Sequence, residues 1–173
     1  MESSANVYQR FVEFEERSAM IYMELASHFS GNSPLSSFWL EMGIQEKEHA
    51  GLLQFCLKEK LFASGLPDDA AIKTLNDSFA GLEKRAADPN LDVKAAFALA
   101  LEMESSELNA IYCNLTSTLH NSLYLLRRKI AASLPNHIDE LIASARKFGV
   151  PDEALRELTD VKKKCSGAWV APE

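Results

Sequence analysis

The sequence has too few cysteines, too widely spaced, for several common metal centres. Cys56, Cys113 and Cys165 lie far apart, and no CxxC pair occurs. A zinc ribbon or a rubredoxin-type iron centre needs closely spaced thiolate pairs, so both are excluded. An odd number of isolated thiols fits a reducing compartment. We therefore expect a cytoplasmic protein whose cysteines are reduced.

Long apolar runs and large basic clusters are also missing. No apolar run approaches the roughly 18 residues of a membrane span, and the N-terminal "MESSANVYQR" lacks the charged start and apolar core of a signal peptide. The 18 basic and 25 acidic residues give a net charge of -7. The basic runs "LRRK" and "KKK" are too short to follow a phosphate backbone. We expect neither membrane nor nucleic acid as a partner.

Residues that break helices are scarce, with 7 glycines and 6 prolines in 173 residues. Helix-forming residues dominate, and apolar residues recur at steps of three and four with no competing period of two. The sequence therefore predicts an all-α fold. Four long helices are expected at 4–29 (A), 33–62 (B), 92–118 (C) and 121–148 (D), with lesser helices at 69–86 and 152–165. Ser33 is the expected cap of helix B, Pro34 its first residue, and Pro135 a kink in helix D.

The lengths of the connections predict how these helices are arranged. The links from A to B and from C to D are short, whereas roughly 30 residues separate B from C. Two antiparallel hairpins joined by a long crossover form one known type of four-helix bundle. We expect residues 1–150 to form such a bundle, with 151–173 as an extra helix and tail packed on or beside it.

Each long helix carries an ionisable residue near the middle of its apolar stripe. These residues are Glu15 on A, Glu46 and His49 on B, Glu104 and Glu107 on C, and His137 on D. Burying a lone carboxylate is costly, so proteins pair such groups or use them to bind metals. Carboxylate and imidazole ligands together suit iron, manganese or zinc. The alternatives are surface ion pairs, a solvated helix face for Glu107, and a hydrogen-bonded core histidine at position 137.

The spacing of these residues repeats along the chain. Glu15 precedes His49 by 34 positions, and Glu104 precedes His137 by 33. Tyr22 follows Glu15 by seven positions, as Tyr112 follows Glu104 by eight. The two hairpins therefore read as diverged copies of one unit, which is the symmetry that a two-metal centre between hairpins would use.

Three segments resemble the di-iron domain of rubrerythrin and the wider ferritin-like superfamily: "EERSAMIYMELAS" (15–27), "QEKEHAGLL" (45–53) and "ALEMESSELNAIY" (100–112). The resemblance covers roughly residues 5 to 148. It implies a di-iron centre, with manganese or zinc as alternatives, held by Glu15, Glu46, His49, Glu104, Glu107 and His137. It selects Glu15 over its neighbour Glu16 because the family's ligand stands seven before a tyrosine. Tyr22 and Tyr112 would donate hydrogen bonds to the ligands or pack in the core.

The resemblance also implies an activity and partners. The expected chemistry is iron oxidation by oxygen or peroxide, or peroxide reduction. The rubredoxin-like tail of rubrerythrin is absent, so a redox reaction would need a separate electron donor. The resemblance further implies a homodimer.

One position departs from the family pattern. A second Glu-x-x-His is expected on helix D, but Leu134 stands three residues before His137. Glu107 or Glu140 could supply the missing carboxylate; otherwise the site holds one metal or none. The alternative function is a bundle with an incomplete metal site that serves as a binding or regulatory scaffold. Iron storage is a weaker alternative, because it requires a cage of many subunits.

Overall fold

The computed structural model describes residues 3–107, residue 111 and residues 124–169. These residues form six α-helices and contain no strand, so the all-α prediction is confirmed. The arrangement as a ferritin-like four-helix bundle stays a prediction. The helices are α1 (Ser4–His28), α2 (Ser33–Lys58), α3 (Asp69–Ala86), α4 (Val93–Glu107), α5 (Tyr124–Lys147) and α6 (Asp152–Trp169). None of these helices has an apolar stretch long enough to cross a bilayer.

Helix B begins at residue 33 as predicted, but its capping residue and its C-terminal end differ from the prediction. Asn32 rather than Ser33 caps α2, because its side-chain oxygen accepts a hydrogen bond from the N–H of Leu35 at 3.4 Å. At the other end, α2 stops at Lys58 instead of running to residue 62. Lys60 takes a left-handed φ of 56°, and the N–H of Leu61 donates to the carbonyl of Cys56 at 2.8 Å. This is the Schellman ending, which usually has glycine at the position of Lys60, so no residue in the sequence signalled it.

The last two helices show one prediction that was correct and one that was too short. Helix α5 ends where Gly149 predicts, with a φ of 79° at that glycine and a hydrogen bond from Val150 N–H to the carbonyl of Ala145. The final helix continues to Trp169, four residues beyond the predicted end at 165. "CSGAW" contains no proline, and its single glycine does not stop the helix.

The chain divides into two compact units, and the first contains α1, α2 and α3. This hairpin unit comprises Met1–Phe62 and Asp68–Asp92. Its first two helices are antiparallel, as predicted. Near the turn, the rings of Tyr22 and Trp39 stack with their centroids 5.8 Å apart. At the far end, the ring centroids of Tyr8 and Phe62 are 5.1 Å apart. The resulting register places the middle of α1 beside the middle of α2.

Helix α3 fixes the rotation of α1 from its other side. Phe14 stacks on Phe79 with ring centroids 5.2 Å apart. Arg17 donates two hydrogen bonds to Glu83, at 2.6 and 3.1 Å, and a third to Asn76 at 2.9 Å. A forked guanidinium–carboxylate contact fixes direction as well as distance. Because these contacts hold one side of α1, its buried carboxylate at position 15 is kept facing α2.

The second unit contains α4, α5 and α6. This C-terminal unit comprises Ala63–Pro67 and Val93–Glu173. Helix α6 packs against both α4 and α5, and Lys162 forms an ion pair with Asp139 of α5. The ring of Phe97 stacks on that of Phe148 at 5.6 Å. Helix α5 continues through position 135.

Candidate metal centre

Three of the predicted ligands come together inside the hairpin unit. Glu15 of α1 and Glu46 and His49 of α2 are 0, 1 and 4% exposed. Each offers a ligand atom, and these atoms all lie within 4.8 Å of one another. Glu15 is the buried member of its neighbourhood, since Glu13 is half-exposed and Glu16 exposed. The structure therefore agrees with the choice of Glu15 as the inward-facing carboxylate.

The imidazole of His49 sits against both carboxylates through a single nitrogen. Its Nδ1 lies 3.2 Å from Oε2 of Glu46 and 3.6 Å from Oε2 of Glu15. Glu46 and His49 share a helix face because they are three residues apart. Glu15 reaches the same level because the antiparallel register brings the two helix midpoints together. A metal ion bound here would be ligated through Nδ1.

Gly43, one turn before Glu46, lets the two helices approach closely at this level. A Cβ atom on Gly43 would lie 3.2 Å from the carbonyl oxygen of Ala19 and 3.3 Å from Cβ of Tyr22. Sequence reasoning missed this residue. The available signal was a glycine on the buried side of a helix, where glycine is otherwise unfavourable.

The electrostatics of the cluster reflect an excess of negative charge. The pKa of Glu15 is raised from 4.5 to about 8, first because the carboxyl group is buried and also because of the negative charge of Glu46, although the hydrogen bond with His49 lowers it. Burial lowers the pKa of His49, but the charge of Glu46 and the contact with Glu15 outweigh this and raise it from 6.5 to about 10. Without a metal, the cluster therefore retains protons that a free carboxylate and imidazole would have lost at neutral pH.

The donor set fits a divalent transition metal. Two carboxylate oxygens and an imidazole nitrogen suit iron, manganese or zinc, and two carboxylates balance a charge of +2. A cation here would also stabilise the negative charge that burial makes costly. The three residues can therefore hold a metal ion.

The C-terminal unit buries a second, smaller set. His137 of α5 and Glu104 of α4 are 1 and 4% exposed, and Nε2 of the histidine lies 2.9 Å from Oε1 of the glutamate. The sequence spacing of 33 therefore also corresponds to a contact. Here the histidine uses the other ring nitrogen, which makes the second site different in geometry from the first.

The remaining predicted site residues fall into three groups. Tyr22 is fully buried and stacked on Trp39, a residue that the motifs do not include. Glu140 is exposed, which speaks against its proposed role as the missing carboxylate. Tyr112 and the side chains of Glu107 and Leu134 lie outside the described residues.

No protein-family model, curated protein or solved structure matches the chain. The resemblance to rubrerythrin thus depends on the motifs alone. The activity that it implies therefore stays a proposal.

Proposed function

We propose that this protein is a metalloprotein that binds a redox-active transition metal through Glu15, Glu46 and His49, and that the metal is iron. The observation that carries the proposal is the convergence of these three buried groups from two helices. Two carboxylates with a single imidazole form an arrangement that is costly without a cation. Helix-borne Glu-x-x-His motifs with a further glutamate are used by di-iron and di-manganese carboxylate proteins.

Each group has a distinct role in this proposal. The carboxylates of Glu15 and Glu46 supply the negative charge, and Nδ1 of His49 supplies the nitrogen ligand. Glu15, whose pKa is raised to about 8, releases its proton when the metal binds, so metal uptake is coupled to proton release. Burial keeps bulk water from the ligands. Iron in such a site supplies one-electron chemistry with oxygen or peroxide.

The dinuclear form of the proposal comes from the sequence. In this form, Glu104, His137 and Glu107 bind a second metal. The pair of metals then carries out the oxidation of iron or the reduction of peroxide. A separate electron donor then serves the peroxide reaction. The number of metals bound per chain tests this form independently of the first site.

Metal content after anaerobic loading with iron(II) is the deciding experiment. We expect Glu46→Ala with His49→Ala to abolish binding at the hairpin site, while Glu16→Ala, which changes an exposed neighbour on α1, leaves it unchanged. Elemental analysis after gel filtration gives the metal count, and circular dichroism verifies that each variant is helical. An unchanged metal content in the double variant would show that these residues are not the ligands.

A scaffold function is the second candidate, and the C-terminal unit favours it. Glu104 and His137 already contact each other at 2.9 Å, and the sequence has Leu134 where another carboxylate is expected. Two metals per chain support an oxidoreductase, and no metal supports the scaffold. A single metal removes the dinuclear form and leaves the class of reaction open. Iron storage would require a large cage, which size-exclusion chromatography detects.

A further inference from the structure

Arg17 lies on the side of α1 opposite Glu15. Successive residues of a helix are about 100° apart around its axis, so positions 15 and 17 differ by about 200°. The carboxylate of Glu15 is buried beside His49 of α2, whereas Arg17 reaches α3 and keeps 25% of its side chain exposed. A contact that holds Arg17 on α3 therefore also sets the direction in which Glu15 points.

Four contacts fix the guanidinium group of Arg17 on α3. Its Nε and Nη2 donate to the carboxylate of Glu83 at 2.6 and 3.1 Å, and its Nη1 donates to Oδ1 of Asn76 at 2.9 Å. The group also lies over the ring of Phe79, 4.9 Å from the ring centroid. A planar group that is bonded through all three of its nitrogens has little freedom to turn. Arg17 is therefore a directional joint between α1 and α3.

A groove separates α1 from α3 beside this joint. Its volume is about 300 Å³, and its walls extend from Arg10 to Arg17 on α1 and from Asp69 to Asn76 on α3. Close packing between the two helices is therefore interrupted over about two turns. Because less packing holds α1 in this stretch, the rotation of α1 at Glu15 depends more strongly on the contacts of Arg17.

A metal site tolerates little rotation of a helix that carries a ligand. Functional groups must be held within about 0.5 Å of their working positions. Side-chain ends lie about 5–6 Å from the helix axis, so a turn of α1 by about 15° would move the carboxylate of Glu15 by about 1.5 Å. Glu15 is fully buried and has little room to compensate by changing its own conformation. Loss of the joint should therefore weaken metal binding while the helices remain folded.

We propose that Arg17 is a positioning residue of the metal centre and that it couples metal affinity to the docking of α3 on α1. This inference rests on the proposed metal site in the hairpin unit. Arg17 acts only through the orientation of Glu15 and is not itself a ligand. Because coupling between two sites is reciprocal, a bound metal also strengthens the docking of α3.

Titration of the metal-free protein with cobalt(II) tests the coupling. Cobalt(II) suits the same nitrogen and oxygen ligands as iron(II), and its visible spectrum reports the coordination geometry. We expect Arg17→Gln and Glu83→Gln each to weaken cobalt(II) binding about tenfold and to change the spectrum. The double variant should lose no more affinity than either single variant, because both changes remove the same contact.

Lys73→Gln is the matched control for these variants. It neutralises another cation beside the same groove, but the ion pair of Lys73, with Asp77 at 2.5 Å, lies within α3. We expect its cobalt(II) affinity and spectrum to equal those of the wild type. Arg17→Lys keeps the charge but cannot form the forked contact, so it should retain only part of the wild-type affinity.

A role in stability alone gives a different result. It would lower the free energy of unfolding of the loaded and the metal-free protein equally, and would leave cobalt(II) affinity and the spectrum unchanged. Urea denaturation of both forms measures the two free energies, and circular dichroism verifies that each variant is helical. Unchanged affinity in Arg17→Gln, or additive losses in the double variant, would overturn the proposal.

Hydrogen exchange tests the coupling in the other direction, from the metal to α3. We expect cobalt(II) to slow amide exchange in Asp69–Ala86 several-fold in the wild type and less in Arg17→Gln. Protection confined to α1 and α2 would overturn the coupling and leave the metal site intact. A wild-type protein that binds no cobalt(II) would overturn both the coupling and the proposed function.

Discussion

The two units of this chain bury ionisable groups in different proportions. The hairpin unit combines two carboxylates with one imidazole, whereas the C-terminal unit pairs one carboxylate with one imidazole. A single pair can neutralise itself by sharing a proton. The three-membered cluster has one carboxylate in excess, and this excess contributes to the raised pKa of Glu15. On electrostatic grounds, a cation would stabilise the hairpin cluster.

The two sets also differ in the nitrogen that each histidine presents. His49 turns Nδ1 toward its carboxylates, while His137 turns Nε2 toward Glu104. The near-equal spacings in the sequence thus produce a Glu–His proximity in both units but not the same coordination geometry. A repeat in the sequence predicts proximity, whereas ring orientation depends on the local packing around each histidine.

Removing each histidine should have unequal effects on the two units. His49→Leu leaves the buried carboxylate of Glu46 without its cationic partner and beside a second buried carboxyl group, that of Glu15, and we expect the metal-free protein to lose about 3–5 kcal/mol of unfolding free energy. His137→Leu leaves one carboxylate, which can take up a proton, so we expect a smaller loss of about 1–3 kcal/mol. Urea denaturation of the metal-free proteins at pH 7 measures both values. Equal losses would contradict the idea that the hairpin cluster has the greater charge excess.

The hairpin cluster should also make the stability of the metal-free protein depend on pH. Both raised pKa values, 4.5 to about 8 for Glu15 and 6.5 to about 10 for His49, mean that the folded state holds protons that the unfolded chain has lost. Their combined contribution is therefore greatest below pH 4.5 and declines as pH rises toward 10. We expect this cluster to lower the free energy of unfolding of the metal-free protein by on the order of 3 kcal/mol between pH 5 and pH 8.

A comparison with metal-loaded protein isolates this effect from other titrations. Bound metal replaces the protons, so the decline should be absent when the site is loaded, and metal affinity should rise with pH. Calorimetry in buffers of different ionisation enthalpy counts the protons released. Metal binding without proton release at pH 7 would argue against the raised pKa values.

Much of the hairpin unit was predictable from its sequence, because local signals agree there. The stripe on α1 and the Glu46–His49 spacing predict the buried faces, and the short link predicts that α1 and α2 are antiparallel. The close approach at Gly43 depends on which helix faces meet, and one sequence does not contain that information. The end of α2 was missed because a lysine adopts the conformation that usually signals glycine.

Replacing the excess carboxylate should affect stability and metal binding in opposite directions. Glu15→Gln removes a buried charge, and we expect it to stabilise the metal-free protein at pH 8 by on the order of 1–2 kcal/mol. It also removes a ligand, so metal affinity should fall at least tenfold. Glu16→Gln, at the adjacent exposed position, should change neither property. Denaturation and metal titration on the same samples test this, and reduced metal-free stability in Glu15→Gln would show that the carboxylate is not in excess.

The smallest expected effect concerns the helix contact that brings the ligands together. Gly43→Ala adds a Cβ atom 3.2 Å from the carbonyl of Ala19, so we expect a loss of about 1 kcal/mol even though alanine favours helix. Gly81→Ala adds the same atom in open space and should instead stabilise the protein by up to about 1 kcal/mol. Thermal denaturation of the two variants gives the sign directly. Stabilisation by both would mean that the helices separate easily at this level, and the ligand positions of Glu15 and Glu46 would then not be fixed by the close contact at Gly43.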